Sequence, residues 1–193
     1  MKVARTYTLK RRAENQAQTR QRIVEAAVEL HGTVGPANTT ISMVAEKAGV
    51  QRHTFYAHFP TERDLLLACS GLALERSPLP EPEGWRAIAD RSKRLSTGLG
   101  EIYDWYRRNS ELTACVLRDA EHHDPTRDIT TLRFGPFFAA YQEILGAGLS
   151  ARQQALLHLA LSFSTWRSLV RESGLTRNAA VAAMVQAIAA KRS

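Results

Sequence analysis

The sequence predicts an all-α fold of about nine helices: an N-terminal three-helix domain containing a helix-turn-helix, and a larger C-terminal helical domain. Three observations predict it. Apolar residues recur at 3–4 residue spacing along most of the chain, the helical period. Alternation with period two never persists, and β-branched clusters are short. Finally, most apolar stretches begin or end at residues that start or stop helices. The 193 residues, 44% hydrophobic and 23% charged, suffice for a sizeable core.

The elements follow in order. Ile23, Ala26, Ala27, Leu30 and Val34 predict a first helix over about 17–34, stopped by Gly35-Pro36. Thr40 is placed to cap the short helix ISMVAEKA, and Gly49 to end it by supplying a left-handed residue. QRHTFYA is a third helix, closed by Pro60. Thr61, with Asp64 three residues on, opens a fourth carrying LLLACSGLAL. SPLPEPEG (77–84) holds three of the seven prolines and is the candidate domain junction. A long helix then carries Trp85, Ile88, Leu95, Leu99, Ile102, Tyr103 and Tyr106 on one broad stripe. A shorter helix spans Glu111 to His122, broken by Pro125, and another runs from about Pro136 to Ala147. Pro136 either starts or kinks that helix. Ser150 and Gln153 form a capping box for a helix over about 151–173, apolar on more than one face. Thr176 caps the last, whose AAVAAMVQAIAA is apolar nearly all round.

The stretch AGVQRHTFYAHFPTERDLL (48–66) is the most informative. Two short helices joined through Gly49-Val50 make a helix-turn-helix pattern. Ile41, Val44, Ala45 and Ala48 share one face of the first, and Phe55 and Phe59 one face of the second, so these belong to the core. Gln51, Arg52, His53, Thr54 and Tyr56 are left on outer faces. In such a motif the start of the second helix meets base edges in the major groove. Gln51 and Arg52 can each read a base through two hydrogen bonds, while Thr40, Tyr56 and His58 suit phosphate contacts. Charge agrees. Residues 1–22 hold seven Lys/Arg and one acid, within a chain of net charge +7, so the excess cation sits at the N-terminal end. Nucleic acid is the first partner such an arm implies; a solvated tail is the alternative.

Other classes are less well supported. The N-terminus lacks an apolar h-region, and no run approaches the roughly 18 apolar residues of a membrane helix, which predicts a cytoplasmic protein with no membrane partner. Cys69 and Cys115 each sit among apolar neighbours and read as buried small hydrophobes. No nucleotide, hydrolase or metalloprotease motif occurs, so no enzyme, cofactor or metal is expected. Arg118, Asp119, His122, His123 and Asp124 form a cluster that could suggest metal binding, but adjacent histidines point to different faces of a helix. A helical enzyme or metal protein using that cluster, and a non-specific nucleic-acid binder relying on the arm, are the rival readings.

The run TTISMVAEKAGVQRHTFYAHFPTERDLL, within about residues 17–66, resembles the DNA-binding domain of the TetR family of bacterial transcriptional regulators. The T-T, A-x-x-A-G-V, T-F-Y-x-H-F and D-L-L elements fall at family spacing; the rest of the chain matches only in helix number and order. The resemblance implies a homodimeric, ligand-responsive regulator, a repressor in the usual case, that binds a palindromic operator in double-stranded DNA. It divides the chain into a basic arm (1–16), a helix-turn-helix domain (17–62) and a ligand-binding and dimerisation domain (63–193). Three positions depart from the family pattern: His31 where a Leu-Phe pair is common, Pro36 where an aromatic follows the glycine, and Glu62 where a lysine commonly touches phosphate. Arg63 is adjacent but points about 100° away. Lys10, Arg11 and Arg12 can compensate by entering the minor groove. His31 is expected either in the small core, bonded to a backbone group, or turned to solvent.

The resemblance also implies a small-molecule pocket in the C-terminal helices. Trp105, Phe134, Phe138, Tyr141 and Trp166 supply aromatic material for a largely apolar effector; ordinary core packing is the competing reading of each. The last two long helices imply the dimer contact, with Leu157, Leu161, Trp166, Val181, Met184, Val185 and Ile188 as its residues. A helix apolar on several faces needs more cover than one subunit's core provides; burial in the core of a single chain is the alternative for that segment.

Overall fold

A computed structural model describes residues 2–190, with side chains from Lys10 onward. Most of the described residues are helical, and none of them lies in a strand. The helices are α1 (Lys2–Thr33), α2 (Ile41–Lys47), α3 (Arg52–His58), α4 (Glu62–Arg76), α5 (Glu83–Arg86), α6 (Arg91–Arg108), α7 (Ser110–Ala120), α8 (Asp124–Leu145), α9 (Ala151–Leu161), α10 (Phe163–Trp166) and α11 (Arg177–Ala189). A 3-10 turn covers Pro36–Asn38, and a π-helical turn covers Arg167–Glu172.

The chain forms two compact units. The first comprises residues 1–76 with 114–130, the second 77–113 with 131–193. The division after Arg76 falls at the start of the proline-rich segment, fourteen residues beyond the boundary expected at 62/63. The reason is that α4 packs along α1 and contributes Leu65, Leu66 and Cys69 to the first unit's core. Ile23, Ala27, Val44, Phe55, Phe59 and Ile129 are among its other members.

Local chemistry explains the short elements. Gly49, at φ +64°, ends α2, with Gly49 N–H donating to the Glu46 carbonyl and Val50 N–H to that of Ala45. That paired pattern is a Schellman stop, and the left-handed residue favours glycine. Thr61 and Asp64 exchange side-chain-to-backbone bonds at the start of α4, as their spacing predicts. Ser150 and Gln153 do the same for α9, and Thr176 caps α11.

Several expected boundaries differ. The basic arm is a continuous part of α1, which begins at Lys2 instead of 17. Asp90 caps α6, so Trp85 lies in the separate short helix α5. Pro125 sits in the first turn of α8, where its missing N–H leaves no bond unmade. Pro136 lies inside α8 and starts nothing. It and Leu132, whose carbonyl it cannot bond, are both exposed, so water can serve that carbonyl. The helix expected over 151–173 breaks at Ser162, whose extended backbone and hydroxyl cap α10. The carbonyls just before the break are used: Tyr103 Oη donates to Ala160 at 3.0 Å and Tyr106 Oη to Leu161 at 2.6 Å. Burial pushes both phenols far above their ordinary range.

Candidate nucleic-acid interface

The helix-turn-helix starts from the α1–α2 corner. Gly35 sits there at φ +92°, and a side chain on it would collide with Arg118 and Asp119. Asp119 is fully buried. Its carboxylate accepts from the Ala37 N–H at 2.9 Å and from the Arg118 guanidinium at 2.8 Å, and Arg118 also donates to the Val34 carbonyl at 3.0 Å. Burial alone would raise the Asp119 pKa; the bonds from Arg118 and Ala37 outweigh it and hold the carboxyl below its ordinary value. Arg118 and Asp119 thus tie α7 to the α1–α2 corner. His123 follows, with Nδ1 2.8 Å from Thr126 Oγ1 and Nε2 3.4 Å from Glu62. Glu62, the departure noted at the start of α4, has a basic neighbour on the protein itself.

His31 is buried, as one of its two expected placements has it, but its neighbour is a thiol. Nδ1 lies 3.4 Å from Cys69 Sγ. Burial lowers its pKa from 6.5 to about 4 despite the opposing field of Asp119. Cys69 is buried as expected; Cys115 is only half-buried, its sulfur near the Gly32 carbonyl at 3.7 Å.

On that core the motif presents one outer surface. Phe55 and Phe59 point inward, 2% and 1% exposed. Arg52 and His53 are exposed on α3, Gln51 is exposed at its N-cap, and Thr54 and His58 are half-buried. Tyr56 is 44% exposed with its ring edge-on to Phe55 at 5.7 Å, which fixes the ring while leaving the hydroxyl end outward. Gln51 makes no side-chain cap bond, so its amide is not spent on the helix terminus. Thr40 is exposed and accepts from the Met43 N–H at 3.2 Å, leaving its hydroxyl proton for an acceptor. Lys10, Arg11 and Arg12 are exposed on α1. Being helical, they would enter a minor groove only as a helix or after that turn unwinds. Sequence reasoning missed Arg20, whose guanidinium stacks 4.8 Å over the Phe59 ring. It also missed the structural part played by Asp119, because a buried acid has no distinctive spacing.

In the second unit the expected pocket residues form a packed aromatic core. Trp105 meets Phe134 at 5.9 Å, Tyr106 meets Trp166 at 5.9 Å, and Phe138 meets Tyr141 at 5.5 Å. The Trp105 indole donates to the Ser77 carbonyl and the Tyr141 hydroxyl to that of Pro80. An open groove of about 630 Å³ runs along α6 and α11, past Ser96, Glu101, Arg177 and Val185. The residues expected at a dimer contact also lie in this unit. Leu157, Leu161, Trp166, Val181, Met184, Val185 and Ile188 are all buried within the single chain. The cause is that α11 packs on α6 and α9, which turns its large side chains inward and leaves Ala179, Ala182, Ala183 and Gln186 outward.

The geometry defines an all-α protein with a helix-turn-helix that offers hydrogen-bonding side chains from the start of its second helix. Residues 23–69 match the family model described as bacterial regulatory proteins, tetR family. The chain is 40% identical over 62 residues to the HTH-type transcriptional regulator SrpR of Pseudomonas putida, covering 32% of this chain and 28% of that protein. It is 28% identical over 106 residues to the HTH-type transcriptional repressor KstR of Mycolicibacterium smegmatis, covering 55% and 52% respectively. The chain thus spans about half the length or less of these relatives. Among solved structures, the transcriptional regulator FadR from Bacillus subtilis, in complex with stearoyl-CoA, superposes with a TM-score of 0.62 at 17% identity, covering 87% of this chain and 96% of that one. The helix-turn-helix is thus that of the TetR family of bacterial transcriptional regulators, and the likeness of the remaining helices to FadR is one of fold.

Proposed function

We propose that this protein is a dimeric, sequence-specific repressor that binds a palindromic operator in double-stranded DNA and is released by a small molecule. The observation that carries the reading is α3: a helix anchored by two buried phenylalanines that turns Arg52, His53 and Tyr56 outward, with Gln51 exposed at its cap. Arg52 and Gln51 read bases; Tyr56, Thr40, His53, Thr54 and His58 position the helix on the backbone. The exposed cations Lys10, Arg11 and Arg12 add sequence-independent affinity. Release requires an effector that binds the non-binding state more tightly, and the coupling is reciprocal. A largely apolar effector suits the aromatic second unit, where Phe134 and Phe138 are only half-buried. No helix among the described residues is long and apolar enough to cross a membrane.

Selection of bound duplexes from a random pool at physiological salt tests this reading. A palindrome with two half-sites is expected. Binding that shows no preferred sequence and vanishes on modest added salt would leave only non-specific attachment by the basic helix.

A further inference from the structure

Two exposed arginines of α1 stand at opposite ends of α3. Arg20 is at the C-terminal end, where its guanidinium lies 4.8 Å over the ring of Phe59, the C-cap residue. Arg22 is at the N-terminal end. A β-carbon placed on Gly49, in the turn that leads into α3, would lie 3.7 Å from Arg22 Nη1. At about 100° per residue, the two side chains leave α1 on either flank of its buried stripe of Ile23, Ala26 and Ala27. Phe59 is a fixed platform, since it is 1% exposed and its ring meets Phe55 at 6.0 Å. A cation over an aromatic face is held there by the charge distribution of the ring. The N–H groups of a guanidinium lie in its own plane and are left for an oxygen. Among the described residues neither arginine has a carboxylate or carbonyl partner. Other cations of this unit are matched: Lys47 pairs with Glu29, Arg76 with Glu25 and Arg127 with Asp124, each at 2.6 Å. Glu25 and Glu29 share a shallow depression with Arg22, but both acids are thus already paired.

We propose that Arg20 and Arg22 are positioning residues that clamp α3 between two phosphates of the DNA backbone, one at each end of the helix. Seven residues make α3 about 10 Å long at about 1.5 Å per residue, and the major groove it enters is about 12 Å wide. Charges held beyond the two ends of such a helix meet the rows of phosphate that border the groove, while Gln51 and Arg52 between them meet bases. An arginine fork takes two phosphate oxygens at once. The clamp sets the depth and register of α3 and carries no sequence information itself. Its place on an operator rests on the repressor reading; the phosphate contacts need no preferred sequence.

The test is the salt dependence of duplex binding by the full chain, read by fluorescence anisotropy on the selected operator and on a duplex of scrambled sequence. Each phosphate contact contributes about 0.9 to the slope of log K against log salt. Arg20→Met, whose side chain still covers Phe59, and Arg22→Gln should each lower the operator slope by about 1.8, one contact in each of two subunits. Each should also weaken binding at least about tenfold at physiological salt, equally on operators that differ by single bases. Arg20→Lys should keep the slope. An arginine that only packs against Phe59 would leave the slope of Arg20→Met unchanged, so a wild-type slope in either uncharged variant overturns the clamp. Where a variant fails to fold, the unaltered chain is bound to operators carrying one neutral methylphosphonate at a time. Losses at phosphates on both borders of the groove are expected, and losses on one border alone overturn the proposal. No preference between the two duplexes, with slopes still lowered in each variant, would defeat the repressor reading and leave the clamp intact. Binding to neither duplex would defeat both.

Discussion

His31 and Asp119 show how single buried groups set the acid response of the DNA-binding unit. His31 titrates near 4 when folded against 6.5 in the open chain. As pH falls, the unfolded chain takes up the proton first, so stability is complete above about 6.5 and declines between 6.5 and 4. The gap between those two values corresponds to about 3 kcal/mol. Denaturant unfolding at pH 7 and pH 4.5 should show most of that loss, and His31→Phe should remove its share. Asp119 acts in a lower window. Its folded pKa lies below the ordinary 3.8, so its contribution is present above that value and fades as pH falls through the folded one. Asp119→Ala strands the Ala37 N–H and frees Arg118, a change that should cost about 3 kcal/mol. Hydrogen exchange at the Ala37 amide reads it directly, and Asp119→Asn should cost less because it still accepts from that N–H. Neither role is visible in the sequence. A histidine among apolar neighbours fits burial or exposure equally well, and an Arg-Asp pair near two histidines looks like a metal cluster until the chain brings Val34 and Ala37 beside it.

At the scale of elements, what could be read was what local chemistry decides. Gly49, Thr61 with Asp64, Ser150 with Gln153, and Thr176 all cap where their residue types predict. The break at Ser162 was not legible, because the apolar run continues through it and its partners are two tyrosines some 55 residues away in sequence. Those hydroxyls satisfy carbonyls at the break, so Tyr106→Phe should destabilise the second unit by about 1–3 kcal/mol, seen as a lower Tm with helical content unchanged. The outward placement of Arg52, His53 and Tyr56 was legible, since two phenylalanines four apart fix which face is inward, whereas Thr54 is half-buried. It supports a division of labour: Arg52→Ala should relax preference at one base position, worth about 1–3 kcal/mol of discrimination, whereas Tyr56→Phe should weaken binding on every sequence alike. Binding assays on the selected operator and its single-base variants separate the two. Equal losses on all sequences for both variants would show that Arg52 does not read a base.

For the whole molecule, the proposed dimer needs a surface that joins two copies, and the residues expected there are buried within one chain. A helix apolar all round suggests a buried partner on each side, but the sequence cannot say which side faces its own core. In α11 the spacing of Val181, Met184, Val185 and Ile188 matches the inward stripe, and the outward one is alanine. In α9, Leu157 and Leu161 point in, while Leu159 is 50% exposed and Ala155 is also outward. Small outward side chains let helices approach closely, since interaxial distance follows the side chains at the contact. A stable interface buries about 800 Å² per partner and concentrates its energy in few large central residues. Leu159 is the large apolar residue this face offers. Leu159→Glu should therefore yield a monomer by sedimentation at micromolar concentration, with wild-type helicity and Tm changed only by loss of the partner. That monomer should bind a half-site far more weakly than the dimer binds the full palindrome, because linked sites gain from effective concentration. Ile188→Glu should instead unfold the second unit, since it places a charge in the core of one chain. If Leu159→Glu remained dimeric while folded, the joining surface would lie off α9.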